Sequence, residues 1–391
     1  MMEFSYYNSV QLTFGEGTFS QIGTLTEPWG EKAMLVTGRS AMEKAGYLQK
    51  AQELLSEAGL EVVTFNEIPP NPDLATVRQG ADLASAQKCD VIVGLGGGSA
   101  MDSAKAIAVG ASHDRPLTDF LVPDENGEKT KPTEATLPVI AATSTAGTSS
   151  ELTPFAVITI SESYEKTAMA GDAIYPKAAI EDPEITYSLP PEITAATGAD
   201  VLAHALEAYI STDANPMSDH QALKAIELVR KHLPDAVKNG DDEEARGGMM
   251  LANMFAGYAL AACGATVMHG LEHPMSGRIP QIAHGAGLAA LMPAWADMLW
   301  KRMPDRFAEI ARRLGVQVGG DTREAAEKVS GELKRLLGRI NLDIPLRKLE
   351  ISEDMLGQLA DDAMRYMKHG IAKTPGDFGY KDLMEMLRRS W

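Results

Sequence analysis

Short runs of consecutive apolar residues alternate with longer segments of helical spacing through the first half of the chain. Ala33-Met34-Leu35-Val36-Thr37, Glu61-Val62-Val63-Thr64-Phe65, Asp90-Val91-Ile92-Val93-Gly94-Leu95 and Leu137-Pro138-Val139-Ile140-Ala141 read as four strands, the first and third running directly into a glycine. Phe155 to Ile160 and Lys177 to Ile180 read as further strands. Glu43 to Ala58 has helical spacing and stops near Gly59, Asp73 is placed to cap a helix running to about Gln87, and another helix starts at about Ala100. Repeated strand–helix–strand units imply an α/β domain with a parallel sheet covered on both faces. Past Leu189-Pro190-Pro191 the β-branched clusters thin, and Ala/Leu/Met-rich helical patterns run to Trp391. The pattern thus predicts an α/β domain over 1–188 and an all-helical domain over 189–391. Within the latter, Met249 to Met268 is nearly free of charge and as long as a bilayer span, but its Ala, Gly and Asn253 gain little in lipid; it is predicted as a buried core helix.

Composition narrows the partners. With 36 Lys+Arg against 54 Asp+Glu, the 391-residue chain carries a formal charge of −18, and its bulk field repels polyanions, which argues against nucleic acid. An anionic ligand must then be held by local features such as helix N-termini. Cys89 and Cys263 stand far apart in the sequence, which predicts free thiols and a reducing compartment, the cytoplasm. The opening Met1-Met2-Glu3-Phe4-Ser5-Tyr6-Tyr7 has no basic stretch leading into an apolar one, so no signal peptide and no membrane partner are expected. The acidic patch Asp241-Asp242-Glu243-Glu244 reads as a solvated loop.

Two loops carry chemistry for a phosphate. The third strand runs into Gly96-Gly97-Gly98-Ser99 and then a helix. Glycines let main-chain N–H groups approach a pyrophosphate, and a helix start adds oriented donors. Ser99 followed three residues later by Asp102 also reads as an acidic variant of a capping box. The spacing is not G-x-G-x-x-G. The second loop, Thr143-Ser144-Thr145-Ala146-Gly147-Thr148-Ser149-Ser150-Glu151, follows the fourth strand and is dense in hydroxyls.

The eight histidines are unevenly distributed. In Gly198-Ala199-Asp200-Val201-Leu202-Ala203-His204, a helix puts Asp200 and His204 on one face, where a carboxylate and an imidazole chelate one ion. His269 and His273 are likewise one turn apart, and His284 follows in Ala283-His284-Gly285. A carboxylate with two or three imidazoles suits Fe(II) or Zn(II) better than Mg(II) or Ca(II). Spacing leaves open which of His269, His273 and His284 are ligands. His113, His220, His232 and His369 lie in polar contexts and read as solvated.

These motifs together resemble the iron-containing (group III) alcohol dehydrogenase family, most like its 1,3-propanediol and butanol dehydrogenase branches. Gly96 to Lys105 matches the family's GGGSxxDxAK loop, and Ser144 to Glu151 resembles TTAGTGSE, with Ser149 in place of glycine. The resemblance implies a Rossmann-like domain followed by a helical one, in a dehydroquinate-synthase-like architecture. It implies metal ligation by Asp200, His204, His269 and His284, with His273 beside the substrate as a candidate for proton transfer. For the dinucleotide it implies Gly97, Gly98, Ser99, Asp102, Ser144, Thr145, Thr148, Lys166 and Ile180, together with the first loop, Gly38, Arg39 and Ser40.

Many NAD-preferring relatives place an acidic residue where this chain has Gly38, so NADP(H) is expected over NAD(H), with Arg39 or Ser40 available to a 2′-phosphate. The expected activity is interconversion of a small primary alcohol or diol and its aldehyde. Hydride goes to the nicotinamide and a divalent metal, Fe(II) ahead of Zn(II), stabilises the alkoxide, in a cytoplasmic homodimer. The alternatives on the same fold are a hydroxyacid–oxoacid transhydrogenase and a dehydroquinate-synthase-like lyase. A non-catalytic metal-binding protein is a third.

Overall fold

The computed structural model describes residues 3–123, 127–317 and 321–391; Met1 and Met2, part of the opening read above, fall outside them. The chain divides into two compact units, an α/β unit of Asn8–Thr145 with Ser149–Ser188 and a helical unit of Leu189–Trp391. A stretch ending at Tyr7 and the three residues Ala146–Thr148 also belong to the helical unit, although a cut between 188 and 189 puts them with the other.

In the α/β unit, β1 (Gln11–Phe14), β2 (Lys32–Gly38), β3 (Glu61–Ile68), β4 (Val91–Gly96), β5 (Val139–Thr143) and β8 (Ala178–Glu181) form one sheet in the order β1-β8-β5-β4-β2-β3, and every pairing is parallel. The central strands are buried on both faces, which is why they read as unbroken apolar runs. Met34, Val36 and Ile92 pack on one side with Val77 and Ile107, while Leu35, Val91 and Val93 pack on the other with Phe19 and Leu55. The covering helices are α1 (Tyr47–Glu57), α2 (Leu74–Gln87) and α3 (Gly98–Ser112). Asp73 caps α2 by accepting from the Thr76 amide.

Two expectations change here. Phe155–Ile160 is β6, paired antiparallel with β7 (Glu165–Ala170) in a separate two-stranded sheet rather than in the main one. Its apolar side, Ala156 and Ile158, packs into the core over the main sheet, so its composition could not reveal its pairing partner. The segment predicted as one helix from Glu43 is broken at Gly46, whose φ of 79° ends a first short turn before α1. The edge strand β1 was not legible, being short and half-exposed.

The helical unit is built on α4 (Pro191–Ile210), α5 (Pro216–Lys238), α6 (Glu243–Cys263), α7 (Val267–Arg278) and α8 (His284–Leu299). Met249 to Met268 is two helices, not one: α6 stops at Gly264, φ 70°, and α7 departs at 101°. Both are buried for most of their length, and no single helix among the described residues is long and apolar enough to cross a membrane. The acidic patch is not a loose loop, since Asp242 caps α6 by accepting from the Ala245 amide and Glu243 and Glu244 form its first turn. His232, read as solvated, is buried in α5 against Gly248, where a Cβ would lie 2.4 Å from the imidazole.

The start of α8 lies directly on the backbone of α4. A Cβ at Gly285 would stand 1.7 Å from the Ala196 carbonyl oxygen, a distance no side-chain shift relieves. Gly285→Ala is therefore expected to lower stability by roughly 3 kcal/mol, read as a fall in the midpoint of thermal unfolding. An unchanged midpoint would show that α8 need not approach α4 this closely.

Candidate metal centre and nucleotide loops

Asp200, His204 and Glu207 occupy positions i, i+4 and i+7 of α4, so one stripe of an otherwise apolar helix is polar. α7 contributes His269 and His273 one turn apart, and α8 opens with His284. The three imidazole Nε2 atoms of His204, His269 and His284 lie 3.5, 3.6 and 3.7 Å from Asp200 Oδ1. That is too long for hydrogen bonds; the donors of Asp200, His269 and His284 all lie within 4.8 Å of one another, a spacing one ion can span, while His204 comes near Asp200 but falls outside that mutually close set. Asp200 Oδ1 and His269 Nε2 are buried without a hydrogen-bond partner among the described residues. A carboxylate oxygen and two imidazole nitrogens so placed, with a third imidazole beside the carboxylate, fit a borderline divalent ion.

The electrostatics match that geometry. Burial pushes the Asp200 carboxyl up, but His204, His284 and His269 outweigh it and hold it below the usual carboxylate range. Burial pulls His204 down to about 4, with Asp200 opposing. His269 is raised to about 10: burial works against the charge, and the carboxylates of Glu207 and Asp200 overcome it. His273 is buried with its ring centroid 5.5 Å from that of His284 and 6.2 Å from that of His269.

The sequence reading passes over two carboxylates. Glu207 accepts a hydrogen bond from His269 Nδ1, and Glu272 accepts one from His284 Nδ1; both carboxylates are fully buried. Position i+7 from Asp200 was the available signal for Glu207. For Glu272 it was a lone charge inside the otherwise uncharged stretch before Arg278. Arg278 itself is bound by Asp362, Nε to Oδ2 at 2.6 Å.

The nucleotide candidates gather at the carboxyl ends of the parallel strands. The chain leaves β2 toward β3 on one side and returns to β4 on the other, which makes the gap beyond β2 and β4 a topological switch point. Gly38 ends β2 and Arg39 and Ser40 follow it, Gly97, Gly98 and Ser99 follow β4, and Ser144 and Thr145 follow β5. The Ser144 amide donates to the Gly96 carbonyl at 2.9 Å, which joins the loops after β4 and β5. A Cβ at Gly97 would come 3.3 Å from Thr145 Oγ1, so the glycine keeps the cradle open. α3 starts at Gly98 behind Gly97, so Ser99 is not its cap, and its first amides face the loop. Thr148 belongs to the helical unit, where the neighbouring Gly147 amide donates to Asn253 Oδ1.

Three further candidates make contacts within the protein. Asp102 is not a capping-box acid: it accepts from Ser150 Oγ at 2.6 Å and from the Val157 amide at 3.0 Å. Lys166, in β7, donates to Asn71 Oδ1. Ile180 has its side chain in the sheet core. Lys105, three residues beyond Asp102, is fully buried and donates to the carbonyls of Ser150, Thr153 and Phe155 at 2.5–2.8 Å. Burial lowers its pKa to about 8 against the pull of Asp102 and Glu151, so it is protonated at neutral pH.

Residues 9–183 match the family model described as iron-containing alcohol dehydrogenase, and residues 194–391 match the Fe-containing alcohol dehydrogenase family C-terminal model. The chain is 39% identical over 357 residues to a choline dehydrogenase of Bacillus subtilis, covering 90% of this chain and 85% of that one. It is 35% identical to a 1,3-propanediol dehydrogenase of Klebsiella pneumoniae over 355 residues, covering 90% of each. The crystal structure of an archaeal halo-thermophilic alcohol dehydrogenase from a Red Sea brine pool superposes with a TM-score of 0.96 at 40% identity, with both chains fully covered.

Lys105→Met strands three buried carbonyls at once. It is expected to cost at least about 3 kcal/mol and to weaken dinucleotide binding, measured by unfolding in denaturant and by fluorescence titration with NAD(P)H. Wild-type values for both would remove the lysine from the loop's support.

Proposed function

The chain belongs to the iron-containing alcohol dehydrogenase family, and from that membership we propose a specific division of labour among its residues. Asp200, His204, His269 and His284 hold one divalent ion, Fe(II) ahead of Zn(II), and the loops after β2, β4 and β5 hold a nicotinamide dinucleotide. The observation carrying the reading is the set of three Nε2 atoms grouped around one buried carboxylate oxygen. When bound, such an ion acts as a Lewis acid that lowers the cost of taking the hydroxyl proton from an alcohol. His273, buried one turn from His269, receives or returns that proton. The apolar walls of α4, α7 and α8 exclude water around the donors. The hydride chemistry itself is supplied by the cofactor.

The substrate is a small primary alcohol or diol, or the corresponding aldehyde. The relative named as a choline dehydrogenase adds choline and its aldehyde to the compounds to be tried. The lyase alternative wants a free basic group beside the metal for a phosphorylated substrate. Arg278, the one the sequence offers in this region, is neutralised by Asp362.

We assign NADP(H) as the preferred dinucleotide. Gly38 ends β2 at the switch point, and a Cβ there would meet only the Ile68 carbonyl at an ordinary 3.6 Å, so the space admits a carboxylate that the sequence does not supply. The Arg39 guanidinium donates to the Glu67 carbonyl, which keeps a cation beside this strand end.

Oxidation of NADPH and of NADH against short aldehydes, with Fe(II), Zn(II), Ni(II) or chelator present, tests the whole reading. Turnover is expected to vanish with chelator and return with Fe(II); undiminished turnover in metal-free protein would overturn it. Gly38→Asp is expected to shift the NADP/NAD ratio of kcat/KM toward NAD by about tenfold, ~1.4 kcal/mol, because the new carboxylate repels a 2′-phosphate. A ratio that stays put or rises would remove Gly38 from dinucleotide choice.

A further inference from the structure

We propose that Glu272 and Glu207 are positioning residues of the metal centre, each holding one imidazole with its Nδ1–H bound and its Nε2 lone pair turned toward Asp200. The inference rests on the metal reading above. A carboxylate can only accept, so the ring nitrogen facing it carries the hydrogen and the other is left as the donor to a metal.

Each carboxylate sits in a recess built for it. Glu207 also accepts from Thr266 Oγ1 and from the Met268 amide, both at 2.6 Å, which fixes it to the start of α7. Glu272 reaches from the middle of α7 to the first residue of α8 and accepts from Ser276 Oγ at 3.2 Å. Space for it is provided by Gly287, where a Cβ would come 2.9 Å from Glu272 Cγ. His204 has no such partner: its Nδ1 is buried without a hydrogen bond among the described residues. Its ring is held instead by stacking on His269, with centroids 4.7 Å apart and planes 12° from parallel. Two of the three imidazoles are thus aligned by charge and the third by packing. The most exposed of the three, His284, is the one whose orientation depends on Glu272.

Chelator competition on the full-length metal-free protein, with Zn(II), and the visible absorption of the Co(II) form test this directly. Glu272→Gln keeps the shape and loses the charge; it is expected to raise the metal Kd by 10–100-fold and to shift the Co(II) bands. The unfolding midpoint of the metal-free protein should stay unchanged. Glu272→Ala is expected to weaken binding further; should it fail to fold, Glu272→Gln decides alone. Affinity within twofold of wild type together with an unshifted Co(II) spectrum would overturn the proposal. Two ions per wild-type chain, falling to one in Glu272→Gln, would also overturn it, by making Glu272 a ligand with its neighbours His273 and His284. Asp200→Ala separates the two readings. If it binds the ion as tightly as wild type, the metal assignment itself has failed; if it does not bind while Glu272→Ala binds normally, only the positioning role has.

Discussion

A carboxylate without a cation is costly in an apolar helix bundle, and the helical unit is organised around one. Asp200 is 3% exposed, flanked in sequence by Ala199 and Val201, and its Oδ1 is turned toward three imidazoles rather than toward a hydrogen-bond donor. Removing that charge from water costs several kcal/mol even after relaxation. The surroundings respond with partial compensation, raising His269 and lowering Asp200, but the 3.5–3.7 Å separations leave the donors short of contact. A dication shared by Asp200, His269 and His284, as proposed above, would satisfy the buried carboxylate oxygen, which accounts for polar groups on helices that otherwise bury Ala, Leu and Met.

That arrangement demands close helix packing, and small residues provide it. Gly285 sets the first turn of α8 on the α4 backbone, Gly198 leaves room for Leu233, and Gly287 leaves room for Glu272. Each glycine in a helix sacrifices about 1 kcal/mol of propensity relative to alanine. The sacrifice is recovered through the burial that close approach permits, and through the fixed distance between donors that lie 84 residues apart from Asp200 to His284. The break at Gly264 belongs to the same logic. A continuous helix from Met249 to Met268 would run α7 on along α6, whereas the turn lets α7 cross and present His269, Glu272 and His273 from one segment.

Periodicity and spacing made the two halves of the chain legible, because buried parallel strands and long Ala/Leu-rich helices leave strong patterns. Asp200 and His204 were legible for the same reason: their i, i+4 spacing survives whatever the helix packs against. What stayed hidden depends on partners distant in sequence. β6 reads as an ordinary buried strand, yet Phe155 is tied by its carbonyl to Lys105 and the strand takes β7, not the main sheet, as its partner. His232 sits among charged residues in sequence and is buried because Gly248, on another helix, makes the space. Glu272 is one turn from Ser276 but owes its place to His284, across a bend that local pattern cannot supply.

The glycine loop shows how residues of one motif divide between ligand and scaffold. Gly97 and Gly98 keep side chains away from the opening, whereas Asp102 and Lys105 point back and fasten the stretch from Ser150 to Val157. Lys105 is buried and spends all three of its donors in that fastening, while the half-buried Asp102 accepts one hydrogen bond on each carboxylate oxygen. Ser149, held at φ 52° where a left-handed backbone favours glycine, marks the turn this fastening imposes. A loop that must approach an anion through its main chain has few side chains with which to hold itself. The rigidity it needs for that approach therefore comes from beneath, from a carboxylate and an ammonium that tie the loop to the stretch from Ser150 to Val157.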